Sequence, residues 1–231
     1  MIRVASYNIR KAIASDRRRR PERILEVLGE LDADIVALQE ADRRFGARQS
    51  AIPPHMLAEH GGYHAVPLAV RDGSMGWHGN ALLVRHGVEV LRHCPLTLPA
   101  LEPRGAVVAD LAVGGRALRV TGMHLDLSGL WRRRQARAVL AHLDAMPERL
   151  PTLLMGDLNE WNGNAGCLRD FAHRHRPLAL GPSFHARRPV GRLDRIFAGP
   201  EFRVERCGVH RSAAARTASD HLPVWAELSL G

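Results

Sequence analysis

The stretch Thr152-Leu153-Leu154-Met155-Gly156-Asp157-Leu158-Asn159 changes abruptly from apolar to polar residues. A short apolar run that ends at a glycine is typical of a buried β-strand. Asp157 and Asn159 then follow the strand at its carboxyl end. Because the ligands of α/β proteins bind beyond the carboxyl ends of strands, this stretch predicts a core strand that presents a carboxylate and a carboxamide to a site.

The same arrangement recurs along the chain, where one predicted strand after another ends in a carboxylate, a carboxamide or an imidazole. The segments with such an ending are Tyr7-Asn8, Gln39-Glu40, Met123-His124-Leu125-Asp126, Gly156-Asp157-Leu158-Asn159, Leu193-Asp194 and Ser219-Asp220-His221. Taken singly, an Asp or Asn after a strand is more often a turn former or a helix cap. Taken together, these ends are expected to converge on one rim. Their oxygen atoms suit a hard cation such as Mg²⁺ or Mn²⁺ better than zinc.

The remaining apolar patterns predict a chain rich in strands. Strand-like segments cover residues 2–8, 34–40, 63–68, 80–84, 88–91, 106–113, 117–124, 152–155, 193–197 and 222–228. Helical spacing follows Pro21, and further helices are expected at 131–146 and around 166–173. Gly114-Gly115 joins two strands as a hairpin. With no repeat or linker evident, we expect one α/β (α+β) domain over residues 1–231, in which two packed, mainly antiparallel β-sheets are flanked by helices.

The composition is that of a soluble globular protein with excess positive charge. The formal net charge of +9 favours polyanionic partners such as nucleic acid or anionic lipid. Among 33 basic residues only Lys11 is a lysine, which indicates a coding bias toward arginine rather than a selected binding face. No apolar run approaches the roughly 20 residues that span a bilayer, and the N-terminus lacks the pattern of a secretory signal. A cytoplasmic monomer with reduced cysteines is expected.

A specific resemblance is carried by two motifs, Gly156-Asp157-Leu158-Asn159-Glu160-Trp161 and Ser219-Asp220-His221-Leu222-Pro223, with Leu193-Asp194 between them. Together they resemble the endonuclease/exonuclease/phosphatase superfamily, which includes deoxyribonuclease I-like enzymes, apurinic-site endonucleases and inositol phosphatases. The resemblance extends, in the family's order and spacing, to Ser6-Tyr7-Asn8-Ile9-Arg10, Val36-Ala37-Leu38-Gln39-Glu40, Gly79-Asn80-Ala81-Leu82-Leu83 and Thr121-Gly122-Met123-His124-Leu125. It covers nearly the whole chain.

What the resemblance implies is a four-layered α/β sandwich with a metal site and catalytic side chains on one rim. The implied ligands of Mg²⁺ or Mn²⁺ are Asn8, Glu40 and Asp220. The implied catalytic residues are His124, Asp157, Asn159, Asp194 and His221. Asp157 would orient or deprotonate the attacking water, while His124 and Asn159 would donate to the phosphate. His221 would complete the charge neutralisation, and Asp194 would be the carboxylate partner of an imidazole.

Several residues keep two interpretations on sequence alone. Asn80 and Arg104 either contact the substrate phosphate or are structural. Asp126 is either a family loop position or a cap for the following helix, with the cap favoured. Aromatic side chains that either stack on a substrate ring or pack against the fold are Trp77, His78 and Trp161. The loops 46–62 and 69–79 are candidates to face the substrate.

Three functions are compatible with these observations. The leading one is a metal-dependent phosphodiesterase or nuclease, with nucleic acid as a candidate substrate. The second is a phosphatase or phosphodiesterase for a lipid-borne or small phosphate, because specificity in such folds lies in the loops. The third is a catalytically inactive module that binds polyanions, which would not need the full set of metal ligands and general base.

Overall fold

The computed structural model describes residues 1–43, 46, 48–68, 72–100, 102–163 and 165–231. The helices are α1 (Pro21–Leu31), α2 (Pro54–Met56), α3 (Gly129–Ala145), α4 (Cys167–Ala172) and α5 (Ala215–Ala218), with a 3-10 turn at Arg10–Ala12 and a π-helical turn at Leu57–Gly61. The strands are β1 (Ile2–Asn8), β2 (Ile35–Gln39), β3 (Tyr63–Ala65), β4 (Ala81–Arg85), β5 (Val88–Thr97), β6 (Gly105–Val113), β7 (Arg116–His124), β8 (Thr152–Asp157), β9 (Arg176–Pro177), β10 (Asp194–Ala198), β11 (Phe202–Val209) and β12 (Val224–Leu230). Parts of the two loops expected to face substrate, at residue 47 and at 69–71, lie outside the described residues.

Two six-stranded sheets contain these strands. The strand order is β11-β12-β1-β2-β4-β3 in the first sheet and β5-β6-β7-β8-β10-β9 in the second. A parallel pair lies at the centre of each sheet, β1–β2 in the first and β7–β8 in the second. Parallel neighbours need a crossover connection, which α1 and α3 supply. The remaining neighbours pair antiparallel, so the expected pair of mainly antiparallel sheets flanked by helices is confirmed.

Each sheet buries apolar side chains on both faces. In β1, Val4 joins the cluster between the sheets, and Ala5 joins the cluster beneath α1. In β8, Leu153 lies between the sheets, whereas Leu154 packs in the cluster that contains Val139 of α3. Both pairs follow from the alternation of side chains along a strand. The layers run helix, sheet, sheet, helix, which is the four-layered sandwich that the resemblance implied. In the described part of the chain, no helix combines the length and apolarity needed to cross a bilayer.

The carboxyl ends of the central strands meet at one end of the sandwich. Asn8, the last residue of β1, donates from Nδ2 to Oδ2 of Asp157, the last residue of β8, at 2.9 Å. Gly156 permits a close approach of β7 to β8, because its φ is +157° and a Cβ there would lie 1.9 Å from the carbonyl oxygen of Met123. Polar residues at the ends of strands from both sheets therefore face one another.

Candidate active site

A row of ionisable side chains crosses the second sheet. Strand register places His124 beside Asp157 across the β7–β8 pair, and Asp157 beside Asp194 across the β8–β10 pair. His124 and Asp157 end their strands, while Asp194 begins the antiparallel strand β10. Three adjacent strands thus present an imidazole and two carboxylates at the same level.

The first sheet delivers the other site residues to the same place. Asn8 lies beside Gln39 in the β1–β2 register, so Glu40 follows directly at the end of β2. The Ser219 hydroxyl donates to the backbone carbonyl of Asn8 at 2.7 Å. That bond fastens the segment before β12 against the end of β1, which brings the next two residues, Asp220 and His221, into the site.

Asp157 is the centre of the arrangement and is almost fully buried. Its Oδ2 lies 3.4 Å from His124 Nε2 and 3.7 Å from His221 Nε2. Its Oδ1 accepts a hydrogen bond from the backbone N–H of Asn159 at 3.0 Å. Together with the hydrogen bond from Asn8, these contacts surround the carboxylate with groups from four segments of the chain, and they fix its orientation.

The two imidazoles beside Asp157 differ in protonation state near neutral pH. Burial lowers the pKa of His124 to about 3, and the positive charge of Arg104 acts in the same direction. Burial also lowers the pKa of His221, but the carboxylates of Asp194 and Asp157 outweigh it and raise that pKa to about 10. His221 Nδ1 lies 2.8 Å from Asp194 Oδ2, which also accepts from the Ser183 hydroxyl. His124 is therefore neutral and His221 a cation.

Two further carboxylates are paired with cations from the segment after β1. Lys11 Nζ contacts Glu40 Oε2, and Arg10 Nε lies 3.4 Å from Asp220 Oδ2. A cleft of about 100 Å³ opens beside Glu40 and reaches His124, so it joins the two sheets. The cleft places positive side chains next to the Asp157 centre, where a phosphate group would be attracted.

The family model for the endonuclease/exonuclease/phosphatase family matches residues 5–221. The chain belongs to this family. Members of the superfamily generally hydrolyse phosphoester bonds. The match covers all of the strand ends described above, so the family resemblance of the sequence and its fold are both confirmed.

The comparisons also identify individual proteins that this family member resembles. YbhP of Escherichia coli K12 is 29% identical over 175 residues, which is 67% of this chain and 64% of YbhP, so the chain spans less than two thirds of that relative's length. A mannosyl-6-phosphatase of Bacteroides thetaiotaomicron superposes with a TM-score of 0.77 at 22% identity, over 100% of both chains. TDP2 of D. rerio, complexed with a single-strand DNA product, superposes with a TM-score of 0.74 at 17% identity, over 99% of this chain and 98% of that one. These superpositions show a shared fold.

The side chains expected to bind Mg²⁺ have the chemistry that this ion requires. Members of the family typically depend on a divalent metal. Glu40 and Asp220 offer carboxylates and Asn8 offers a carboxamide oxygen, which are hard oxygen ligands. Their pairing with Lys11 and Arg10 shows that both carboxylates lie where positive charge is stabilised. The donor set therefore fits Mg²⁺.

A second group of metal-ligating side chains lies deeper in the site. Among the described residues, Asp157, Asp194 and His221 bring donor atoms within 4.8 Å of one another. His221 Nδ1 already bonds to Asp194, however, and the imidazole is a cation near pH 7. The bond between His221 and Asp194 shows that this group can also hold and orient a proton.

Two predicted site residues, Asn80 and Asn159, use their carboxamides to hold backbone. Asn80 Nδ2 donates to the carbonyl oxygen of Gly105 at 3.0 Å, and Asn159 Nδ2 donates to that of Leu125 at 2.9 Å. Both are buried. These bonds fix the segments that carry Arg104 and the residues after His124, whereas contact of either carboxamide with substrate stays a prediction.

The structure shows the surroundings of the residues for which the sequence left two interpretations. Asp126 accepts a hydrogen bond from the backbone N–H of Ser128 at 2.9 Å, so it forms a turn before α3. The expected helix cap is wrong, because Ser128 is the N-cap residue and the helix has no side-chain cap hydrogen bond. Trp77 packs closely on Gly105, where a Cβ would lie 2.9 Å from the indole ring. Trp161, by contrast, is 62% exposed. Arg104 Nη1 lies 2.7 Å from His124 Nε2, and Arg104 lines the cleft. Its contact with a substrate phosphate stays a prediction.

Two contributors to the site were missed by the sequence reasoning. Lys11, the partner of Glu40, is the one lysine of an arginine-rich chain, and that departure from the coding bias was a usable signal. Ser183 supports Asp194 from a segment without any motif, so nothing in the sequence pointed to it.

Proposed function

We propose that this protein is a Mg²⁺-dependent phosphodiesterase. The observation that carries the proposal is the buried Asp157 carboxylate between a neutral imidazole, His124, and a cationic one, His221. We expect the nearby carboxylates of Glu40 and Asp220 to hold the metal. A carboxylate that can accept a proton and a cationic imidazole that can donate one, beside a cleft that contains Lys11 and Arg104, are the groups that hydrolysis of a phosphate ester requires.

In this mechanism Asp157 accepts a proton from a water molecule while the water oxygen forms a bond to phosphorus. The ester P–O bond on the opposite side breaks, and the leaving oxygen takes the proton held by His221. Asp194 keeps that imidazole protonated and oriented until then. Arg104 and His124 donate hydrogen bonds to the phosphoryl oxygens. Mg²⁺ held by Glu40, Asp220 and Asn8 would add positive charge that stabilises charge building up on those oxygens.

The fold alone does not identify the substrate, since the similar structures include a mannosyl-6-phosphatase and TDP2 in complex with DNA. Nucleic acid as substrate stays a prediction that rests on the net charge of +9. A small or lipid-borne phosphate is the second candidate, favoured by the exposed apolar side chains of Leu127, Leu130, Trp161 and Val190. Cytoplasmic location and a monomeric state also stay predictions.

The test is hydrolysis by purified protein with Mg²⁺, Mn²⁺ or EDTA on bis-p-nitrophenyl phosphate, single- and double-stranded DNA, RNA, and lipid and inositol phosphates. Glu40→Ala should abolish turnover without loss of fold, because it removes an expected metal ligand. Glu201→Ala, at an exposed carboxylate away from the site, is the matched control. Undiminished activity of Glu40→Ala would reject the metal assignment. Absence of turnover together with tight polyanion binding would establish the inactive binding module instead.

A further inference from the structure

Large apolar side chains are exposed to solvent beside the active site. Leu127 is 67% exposed, Leu130 60%, Trp161 62% and Val190 71%. They come from three segments, one after β7, one after β8 and one before β10. We call these four residues the apolar rim. Burying such side chains in water-free surroundings is favourable, so a group of them at a protein surface marks a binding face.

Contacts between the segments show that the rim is one surface. Arg132 Nη1 donates to the carbonyl oxygen of Leu127 at 2.6 Å, and Arg132 Nη2 lies 3.1 Å from Glu160 Oε2, next to Trp161 in the chain. The Trp161 ring lies against Gly191, where a Cβ would be 3.0 Å away, and Gly191 follows Val190. Leu127, Trp161 and Val190 are therefore neighbours in space.

The rim borders the catalytic centre through stacked rings. The centroids of Trp161 and Phe184 are 6.0 Å apart and meet edge to face. Those of Phe184 and His221 are 4.8 Å apart. A molecule whose apolar part lies on the rim would have its phosphate close to His221.

Unpaired positive charge surrounds the most exposed rim residue. The sequence Arg187-Arg188-Pro189-Val190-Gly191-Arg192 puts three arginines around Val190, and all three are exposed. None of the three guanidinium groups has a hydrogen bond or an ion pair with any described residue. Arg133 and Arg137, on the neighbouring helix, pair with Asp170 instead. The three unpaired charges are thus available to a partner that is negative.

We propose that the apolar rim and these arginines seat the protein on an anionic lipid surface, so that the site hydrolyses a lipid-borne phosphate ester. The inference rests on the proposed function and names its substrate class. Leu127, Leu130 and Val190 are aliphatic and offer no ring for stacking on a base, which argues against single-stranded nucleic acid. Aliphatic and Trp side chains interleaved with arginine are the composition of surfaces that lie in a membrane interface.

The first experiment measures sedimentation of the wild-type protein with vesicles of phosphatidylcholine alone or mixed with phosphatidylglycerol. We expect binding to the mixed vesicles that weakens with added salt. Val190→Ser should weaken it about tenfold, because it removes an inserted apolar side chain. Arg188→Gln should weaken it about fivefold, the effect of one cation at an anionic surface. Matched controls are Leu91→Ser, at an exposed leucine on β5, and Arg149→Gln, at an exposed arginine remote from the rim; both should bind like wild type.

A second measurement locates the contact. Vesicles with brominated acyl chains should quench tryptophan fluorescence through Trp161. Trp161→Phe should lose that quenching, and Trp225→Phe, on β12, should keep it. Loss of quenching in the Trp225 variant instead would place the contact on another face and overturn the proposal.

Other outcomes also reject the proposed membrane contact. Equal sedimentation with both vesicle types, or sedimentation with neither, would show that the protein does not recognise an anionic lipid surface. Tight binding of single-stranded DNA that Val190→Ser weakens assigns the rim to nucleic acid, and self-association that Val190→Ser abolishes assigns it to a second copy of the chain. Turnover of soluble bis-p-nitrophenyl phosphate needs no vesicle, so it tests the proposed function separately. Vesicle binding can fail while that turnover persists, and that turnover can fail while vesicle binding persists.

Discussion

Replacing Asp194 with asparagine should convert His221 from a cation to a neutral imidazole near pH 7. The Asp194 side chain is fully buried, and its Oδ2 lies 2.8 Å from His221 Nδ1. Burial alone would lower the pKa of His221, and the carboxylates of Asp194 and Asp157 raise it to about 10 in spite of that burial. Asparagine keeps the size of the side chain and can still accept a hydrogen bond. It removes the negative charge of Asp194, which raises the pKa of His221 more than the charge of Asp157 does.

The size of the effect follows from the pKa. A histidine at about 10 instead of the ordinary 6.5 corresponds to about 5 kcal/mol in favour of the folded, protonated form. This stabilisation is fully present below pH 6.5, where the unfolded histidine is also protonated, and it is lost as the pH rises toward 10. The free energy of unfolding of the wild-type protein should therefore fall across that range. Asp194→Asn should remove most of the slope and slow turnover by about 10²–10⁴-fold.

The assay is an NMR titration of the His221 ring in EDTA-treated protein, combined with urea unfolding at several pH values. Asp170→Asn is the matched control, because that carboxylate pairs with arginines on the surface and contacts no histidine. The control should leave the His221 titration unchanged. A His221 pKa that remains near 10 in Asp194→Asn would refute the assigned cause of its charge.

Three other changes test the site and the fold. Asp157→Asn should slow hydrolysis by about 10²–10⁴-fold with little change in substrate affinity, measured by steady-state kinetics and equilibrium binding; loss of binding would mean that its role is different. Arg119→Met should lower the free energy of unfolding in urea by about 3–5 kcal/mol, because it leaves a buried aspartate unpaired; a change below 1 kcal/mol, on the order of a surface pair, would contradict this. Gly156→Ala should destabilise the fold severely, since the added Cβ has no room. Gly29→Ala, at the open surface of α1, should be neutral or stabilising by up to about 1 kcal/mol. Equal melting temperatures of the two variants would count against the close approach of β7 to β8.

The sequence was sufficient to predict the strands whose apolar residues alternate or run together. β1, β2 and β8 are buried and end in polar residues, so both the strands and the polar side chains at their ends could be predicted. β11 was missed because Arg203, Glu205 and Arg206 make it polar, and an irregularity between Val204 and Arg206 interrupts the alternation. β5 extends beyond the predicted segment through Pro95, which an edge strand tolerates because no second neighbour needs its N–H.

The residue types of the candidate site could be predicted from the sequence, but the protonation states of its side chains could not. Asp157 and His124 were identified as polar residues at the ends of apolar runs, which are visible without coordinates. His221 lies between α5 and β12 and was identified by the motif Ser219-Asp220-His221. The different protonation states of the two imidazoles could not be predicted, because the pKa of each imidazole depends on which carboxylate or guanidinium lies beside it. The support of Asp194 by Ser183 joins residues eleven positions apart in a loop without a motif, and it needed the fold to be seen.

The position of β12 between β11 and β1 also has a consequence for synthesis of the protein. β1 is synthesised long before β12, so it can pair with β2 but not with β12 until residues 224–230 have been added. The same late segment delivers Asp220 and His221. The first sheet is therefore complete only after residues 224–230 have been synthesised, and we expect a product truncated before residue 219 to lack the candidate active site however well the second sheet has formed.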